Sequence, residues 1–356
     1  MKGKRIYLIT ATAQKPRVSI WVPLMVLFVF LFFSIRTVTA QDIHFSQFNS
    51  APMNMNPALA GQFDGDYRFI GNQRMQWRSV TLPYSTFGIS ADARNFLGKE
   101  NVGAGLSVYR DITGDSRFQT LQVNLAGTYL MPVSSDSLHS ISFGIQPGLT
   151  YRSIDYTDLE FDNQYDGFGY DPSLAHGESF LREKRTYMNL NAGIGYYYQP
   201  EKRKMISGGL SFYNLTKPKQ SFFNVDDITL DVRTNVHVAG QWPVADDWDV
   251  LPSIQFMSQG TFKEIIFGGS AKYILMDERG AYRAVYFGGW YRNKDAGFIS
   301  VGMDYDSWNV GVSYDINVSN LTPASNMKGG LEISVIYILR QFKPNRIQHR
   351  ICPDYI

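Results

Sequence analysis

With 356 residues, the chain is long enough for two soluble domains or one large closed sheet, and its composition of 19% charged and 15% aromatic residues, with 22 Tyr, 24 Phe and 31 Gly, favours the second. The formal net charge is only +2 and mean hydropathy is slightly negative. No apolar run beyond residue 40 approaches the roughly 18 residues a membrane helix requires, so any membrane crossing there must be made by strands, whose alternation hides apolar residues behind polar neighbours.

The one continuous apolar run, Ile20 to Ile35, follows Lys2, Lys4, Arg5, Lys15 and Arg17 and precedes Val38, Thr39 and Ala40. That order predicts a secretory signal, residues 1–40, cut after Ala40; the alternative is a retained inner-membrane anchor, for which the run is short. Its removal takes six basic residues and no acidic ones, moving the formal charge from +2 to −4, which argues against nucleic acid as a partner. Cys352 is the only cysteine, so it has no internal disulfide partner, and a free thiol or an intermolecular bridge stay open.

Residues 41–66 lack alternation and are punctuated by Pro52, Pro57 and Gly61, which predicts an irregular N-terminal periplasmic arm that precedes the sheet and is not part of its wall. Strands are expected near 67–77, 84–94, 101–110, 118–131, 139–151, 186–199, 205–214, 230–242, 248–258, 264–275, 281–291, 296–305, 308–316 and 329–339, about 14 in all. In the thirteenth, Val310, Val312, Tyr314 and Ile316 alternate with Asn309, Gly311, Ser313 and Asp315; in the fourteenth, Leu331, Ile333, Val335, Tyr337 and Leu339 form one apolar face. In the sixth, Met188, Leu190, Ala192, Ile194, Tyr196 and Tyr198 oppose Asn189, Asn191, Gly193 and Gly195. A soluble sandwich also alternates. An apolar face repeated on strand after strand behind a signal fits an all-β transmembrane antiparallel β-barrel, residues 67–339, with lipid outside and a polar interior.

Sorting the connections by parity gives an independent check. The long links Arg152 to Arg185, Leu215 to Thr229 and Asn317 to Lys328 all fall on one side, and the other side holds short turns, as in outer-membrane barrels of even strand number. Trp242, Trp248 and Trp308 lie beside the short turns, while Trp77 and Trp290 lie at the opposite strand ends, where two interfacial girdles would place them. Residues 340–356 form a tail on the short-turn side.

Nothing in the sequence points to an active site, a cofactor or a metal centre. His44, His139, His176, His237 and His349 are scattered, and no serine sits in a nucleophile elbow. The most unusual segment is the fifth connection, where Asp155, Asp158, Glu160, Asp162, Asp166, Asp171 and Glu178 are interleaved with Tyr156, Phe161, Tyr165, Phe168 and Tyr170. So long a loop, with aromatic anchors among polar residues, suits contact with a partner. Asp162, Asp166 and Gly167 imitate the start of a calcium loop, but Gln164 and Ser173 depart from its ligand pattern. Asn214, Asn317 and Asn320 sit in glycosylation-type triplets that turn chemistry explains.

Several stretches together resemble the PorP/SprF family of type IX secretion and gliding proteins of Bacteroidetes-type bacteria. These are Phe45, Ser46, Gln47, Asn56, Pro57, Ala58 and Gly61 in the arm, Asn72 to Trp77 after it, Tyr314, Asp315, Ser319, Leu321, Gly330, Glu332 and Ser334 in the final hairpin, and Cys352 with Pro353. The resemblance implies a non-enzymatic barrel of the cell outer membrane that supports export or surface attachment of large secreted proteins, often adhesins with a C-terminal sorting domain, in contact with periplasmic or lipoprotein parts of the machinery. A passive channel or hydrophobic-solute transporter is the alternative. Candidate partner-binding residues are Phe45, Gln47, Asn56, Pro57 and Gly61 in the arm, Asp158, Phe161, Gln164, Tyr165 and Asp166 in the long loop, and Cys352 in the tail.

Overall fold

The computed structural model describes residues 42–76, 83–114, 116–136, 138–157, 159–177, 182–223, 228–278, 280–319 and 327–340. Expectations for the signal segment 1–40, for Trp77, Asp158, Glu178, Asn320 and Leu321, and for residues 341–356 with Cys352 and Pro353 lie outside the described residues.

Fourteen antiparallel strands form a closed barrel. They are β1 (Tyr67–Gln76), β2 (Tyr84–Ala93), β3 (Val102–Thr113), β4 (Phe118–Pro132), β5 (His139–Ser153), β6 (Lys184–Glu201), β7 (Lys204–Tyr213), β8 (Arg233–Pro243), β9 (Trp248–Gln259), β10 (Phe262–Glu278), β11 (Ala281–Arg292), β12 (Ala296–Tyr305), β13 (Trp308–Asn317) and β14 (Lys328–Leu339). Each pairs with its sequence neighbours, and β14 returns to β1 in a register running from Tyr67 opposite Leu339 to Gln76 opposite Gly330. Every expected strand is present. The main differences are extensions, as where β10 runs on to Glu278, and the start of β8 at Arg233, after a bridge between Lys219 and Thr229.

The period of two sorts residues as the closed sheet demands. On β13, Val310, Val312, Tyr314 and Ile316 point outward, while Ser313, Asp315 and Asn317 are buried inside. On β6, Met188 is 71% exposed and Asn191 only 2%. Leu125, Ile145, Phe287 and Val301 continue the apolar exterior around the barrel. Such an exterior in water would be a severe liability, whereas closure satisfies every strand edge and makes it suited to lipid. The three long connections, 154–183, 214–232 and 318–327, share one end.

Trp242, Trp248 and Trp308 are exposed at the short-turn end, where Trp308 lies 4.6 Å from the Tyr337 ring and Trp248 4.8 Å from Tyr273. Trp290 corrects the girdle expected at the other end. It shares parity with buried Ala284 and Arg292, points into the lumen, and packs edge-on against Phe48 at 5.6 Å.

The hydrophobic core sits inside the barrel and is built largely by the arm. Phe48, Met55 and Leu59 cluster with Ile266 and Phe298; Ile43, Phe45 and Ala51 cluster with Tyr109; Met53 and Ala60 cluster with Ala126. The arm precedes the wall in sequence, as expected, but it does not stand free in the periplasm: it runs through the lumen. A closed sheet presents its polar face to a confined interior, and a chain with both apolar side chains and unpaired backbone groups fills that space.

Leu125 lies mid-strand on the exterior. Its replacement by Arg is expected to destabilise the barrel in lipid vesicles by about 2–4 kcal/mol, the cost of a cation facing the bilayer midplane. Urea unfolding measures this, and a change below about 0.5 kcal/mol, usual for a water-exposed site, would contradict a lipid-facing wall.

Candidate functional site

In chain order the arm starts near the long-connection end and reaches the short-turn end, where β1 begins. The Gly61 N–H donates to Asp92 Oδ2 (2.7 Å) near the close of β2, and the Ala60 carbonyl accepts from Thr128 Oγ1 (2.8 Å). At the other extreme, Asp42 accepts from Gln122 Nε2 (3.0 Å) and Asn214 Nδ2 (3.3 Å), and its own N–H donates to Gln259 Oε1 (3.2 Å). Gln122, Asn214 and Gln259 all lie near the long-connection ends of their strands.

Between these ends the wall grips the arm mainly by its backbone. Arg74 Nη1 donates to the His44 carbonyl (2.9 Å), and Arg233 donates to those of Ile43 (2.9 Å) and Asn54 (3.1 Å). Ser211 Oγ (2.8 Å) and Asn235 Nδ2 (2.9 Å) both reach the Met55 carbonyl, and Tyr213 OH reaches that of Met53 (3.1 Å). The Glu332 carboxylate accepts from two consecutive amides, Ser46 N (2.7 Å) and Gln47 N (2.9 Å). These contacts satisfy donors and acceptors that a non-regular segment cannot pair within itself.

Charge is concentrated in the half nearer the long connections. Arg74, Arg233 and Arg292 are each no more than 2% exposed, among the carboxylates of Asp42, Glu264, Asp315 and Glu332. Arg292 reaches Asp315 (3.2 Å), Asp295 (2.9 Å) and Glu264 (3.5 Å), and Ser46 Oγ accepts from Arg292 while donating to Asp315 (2.8 Å). A single helical turn, Pro52–Met55, and the 3-10 turn Pro57–Leu59 then narrow the chain. Asn56 joins them: its Oδ1 accepts from Ala58 N (2.9 Å) and its Nδ2 donates to the Ile194 carbonyl (3.0 Å).

Close approach requires glycine on the wall. A Cβ on Gly144 would collide with the backbone of Pro57 and Ala58, and one on Gly193 with the Asn56 amide oxygen. Of the arm residues singled out in the sequence, Phe45, Asn56, Pro57 and Gly61 are buried and Gln47 is bonded to Ser313, Ser334 and Glu332, so all five face the barrel's own lumen. Periodicity alone assigns no contact to Arg74, Arg233, Arg292 or Glu264. The available signal was a charge at an inward parity position in an apolar strand.

The long loop holds a second arrangement. Tyr165 and Tyr170 form an antiparallel bridge. At its turn, Asp166 Oδ1 accepts from Phe168 N (2.7 Å) and Gly169 N (2.8 Å), and these amides hold its carboxyl below the usual carboxylate range. Phe168 is consequently 98% exposed at the tip, with Tyr165 at 61%. Gln164 is the buried spine: it bonds the Leu174 carbonyl (3.2 Å), while Phe161 packs 5.4 Å from His176. Among the described residues no group of three or more His, Cys, Asp or Glu could hold a metal ion.

Replacing Gly144 by Val should drive a side chain into Pro57 and Ala58 and release the arm. Gly127→Val, where a Cβ meets nothing within 4 Å, is the control. Limited proteolysis of the folded barrels should cut residues 42–61 readily in the first and not in the second; equal resistance would contradict the tight contact.

A search of curated proteins finds none that matches the chain. Among solved structures it is similar to the toluene transporter TbuX of Ralstonia pickettii, at 11% identity and TM-score 0.49, covering 86% of this chain and 96% of that one. It is also similar to a FadL homologue of Pseudomonas aeruginosa (12%, 0.45, 79% and 92%) and to the toluene transporter TodX of P. putida (10%, 0.46, 81% and 93%). Similarity at these levels transfers no cargo. The description "Type IX secretion system membrane protein PorP/SprF" matches residues 37–337, nearly the whole barrel and its arm. With its apolar exterior, polar lumen and closed even-stranded sheet, the chain is an outer-membrane protein that belongs to the PorP/SprF family of the type IX secretion system.

Proposed function

We propose that the protein is a non-enzymatic docking barrel of the type IX secretion and gliding machinery, which supports export or cell-surface attachment of large secreted proteins such as adhesins. The observation that carries this is the occupied lumen: residues 42–61 run from one end of the barrel to the other and are gripped along their length, so contact with partners falls to the exposed ends. By the usual asymmetry of outer-membrane barrels, the long connections face outward. There the Tyr165–Tyr170 hairpin presents Phe168 and Tyr165 as aromatic anchors for a secreted partner bearing a C-terminal sorting domain. The short-turn face, with residues 341–356 and Cys352, is the proposed contact for periplasmic or lipoprotein components. A signal cut after Ala40 is part of this proposal, since it delivers the arm and barrel to the outer membrane.

Deletion of residues 158–172 should abolish surface retention of the secreted partner without lowering barrel abundance, measured by comparing surface and culture-fluid proteomes with the parent strain. Unchanged retention would remove the outer-loop half of the proposal.

The passive channel makes the opposite prediction in a planar bilayer. The intact barrel should conduct little, and the Gly144→Val variant, with its arm displaced, should show a steady conductance. A large, stable conductance from the intact protein would favour transport over docking.

A further inference from the structure

We infer that the barrel lumen is a binding site for an irregular polypeptide segment, with the arm as its resident ligand, and that a peptide supplied by another chain can take its place. This goes beyond the outer-surface docking proposed above and does not depend on it.

The wall recognises peptide groups more than side chains. Carbonyls of Ile43, His44, Met53, Asn54, Met55 and Ala60 each accept from an inward side chain. Two successive amides are captured by one carboxylate, Glu332. Backbone recognition by polar groups is how grooves that take extended peptides obtain affinity without demanding one sequence. Sequence preference enters at particular side chains: Asp42, held by Gln122 and Asn214; Phe45 in a ring pocket 6.1 Å from Tyr109; Ser46 between Arg292 and Asp315; Gln47 at Ser313 and Ser334; and the Asn56 turn, which fits only because Gly144 and Gly193 lack a Cβ.

With the cut after Ala40 proposed above, the resident segment is held in cis by one short connection. Between Gly61 and the start of β1, Asp64 has a 93% exposed side chain, and the Asp66 N–H is bonded to the Leu339 carbonyl (3.0 Å). A tethered ligand of this kind benefits from an effective concentration in the millimolar range, which shields the site from competing peptides. Cutting the tether removes that advantage and exposes the affinity of the lumen itself.

The test uses the full chain with a protease recognition sequence inserted at Asp64, purified in detergent and cleaved after folding. A fluorescent synthetic peptide of residues 42–61 is then added, and its uptake and the release of the cut arm are followed together. Saturable exchange is expected. A peptide N-methylated at Ser46 and Gln47, which cannot donate to Glu332, should bind about ten-fold more weakly or worse, because hydrogen bonds to charged groups are among the stronger ones. A scrambled peptide of the same composition should bind weakly as well. A cut arm that stays in place without exchanging under excess peptide would overturn the inference. So would equal uptake of the native, N-methylated and scrambled peptides, which would mean apolar filling without peptide recognition.

Discussion

The closing seam between β1 and β14 is braced from inside by the chain segment that it encloses. Arg74 on β1 and Glu332 on β14 lie across this seam, with Arg74 Nε 3.7 Å from the Glu332 carboxylate, and both side chains hold the arm. Glu332 takes the Ser46 and Gln47 amides while Arg74 takes the His44 carbonyl. Closure of the barrel and docking of the arm are therefore coupled events. Each forms hydrogen bonds that the other positions, and Arg74, which also reaches Asp315 (3.4 Å), brings a cation to the Glu332 carboxylate across the seam. The same closure abolishes the sheet edge and sends every apolar face outward, which suits the exterior to lipid.

An interior of this kind must be filled or hydrated. Asn72, Gln122, Gln146, Asn189, Asn191 and Asn235 line it with amide groups, which would be costly left unpaired in a dry lumen. Asn189 and Asn191 bond to Asn214 and Gln146 of the barrel, and the arm supplies partners for Asn72, Gln122, Gln146 and Asn235 as well as apolar filling. Its irregular backbone offers free carbonyls and amides at varied heights, and its Phe45, Phe48, Met53 and Met55 fill the volume that hydrogen bonds do not. A regular helix would have paired its backbone with itself and left the wall unsatisfied. The prolines and the Asn56 turn, which make the segment look structureless, keep its backbone available to the wall.

Period-two alternation made the barrel legible in the sequence, because parity alone determines which side chains face lipid. Val310 and Ser313 were placed on opposite faces from spacing alone. The arm's position was not legible in the same way, because residues 41–66 have no period from which to read a face. Yet the wall recorded its presence. Gly193 and Gly195 on the polar face of β6 were visible as small inward positions, and Glu332 as an acid on the polar face of β14; their meaning depends on what approaches them in space. Trp290 shows the converse error. Residue type suggested an interfacial girdle, while its parity with Arg292 already placed it inside. The Phe168 tip was visible as an aromatic within an acidic loop, but its exposure follows from the amides that Asp166 binds at the turn.

The charges in the lumen also bear on whether the arm is permanent. A plug held only by apolar contacts would leave a bare hydrophobic tunnel on departure, and that cost would make it a one-way seal. Here Arg74 and Arg292 pair with Glu264, Asp315 and Glu332 within the wall itself, whereas Arg233 has its ion-pair partner, Asp42, on the arm. Buried ion pairs contribute little net stability against water, because hydration competes well for the same groups. When the arm leaves, water can enter and take over its hydrogen bonds to the polar wall, at a modest cost for each immobilised molecule. The docked and vacated states are thus closer in free energy than the extent of contact suggests, and a polar peptide channel is better matched to exchange than to sealing.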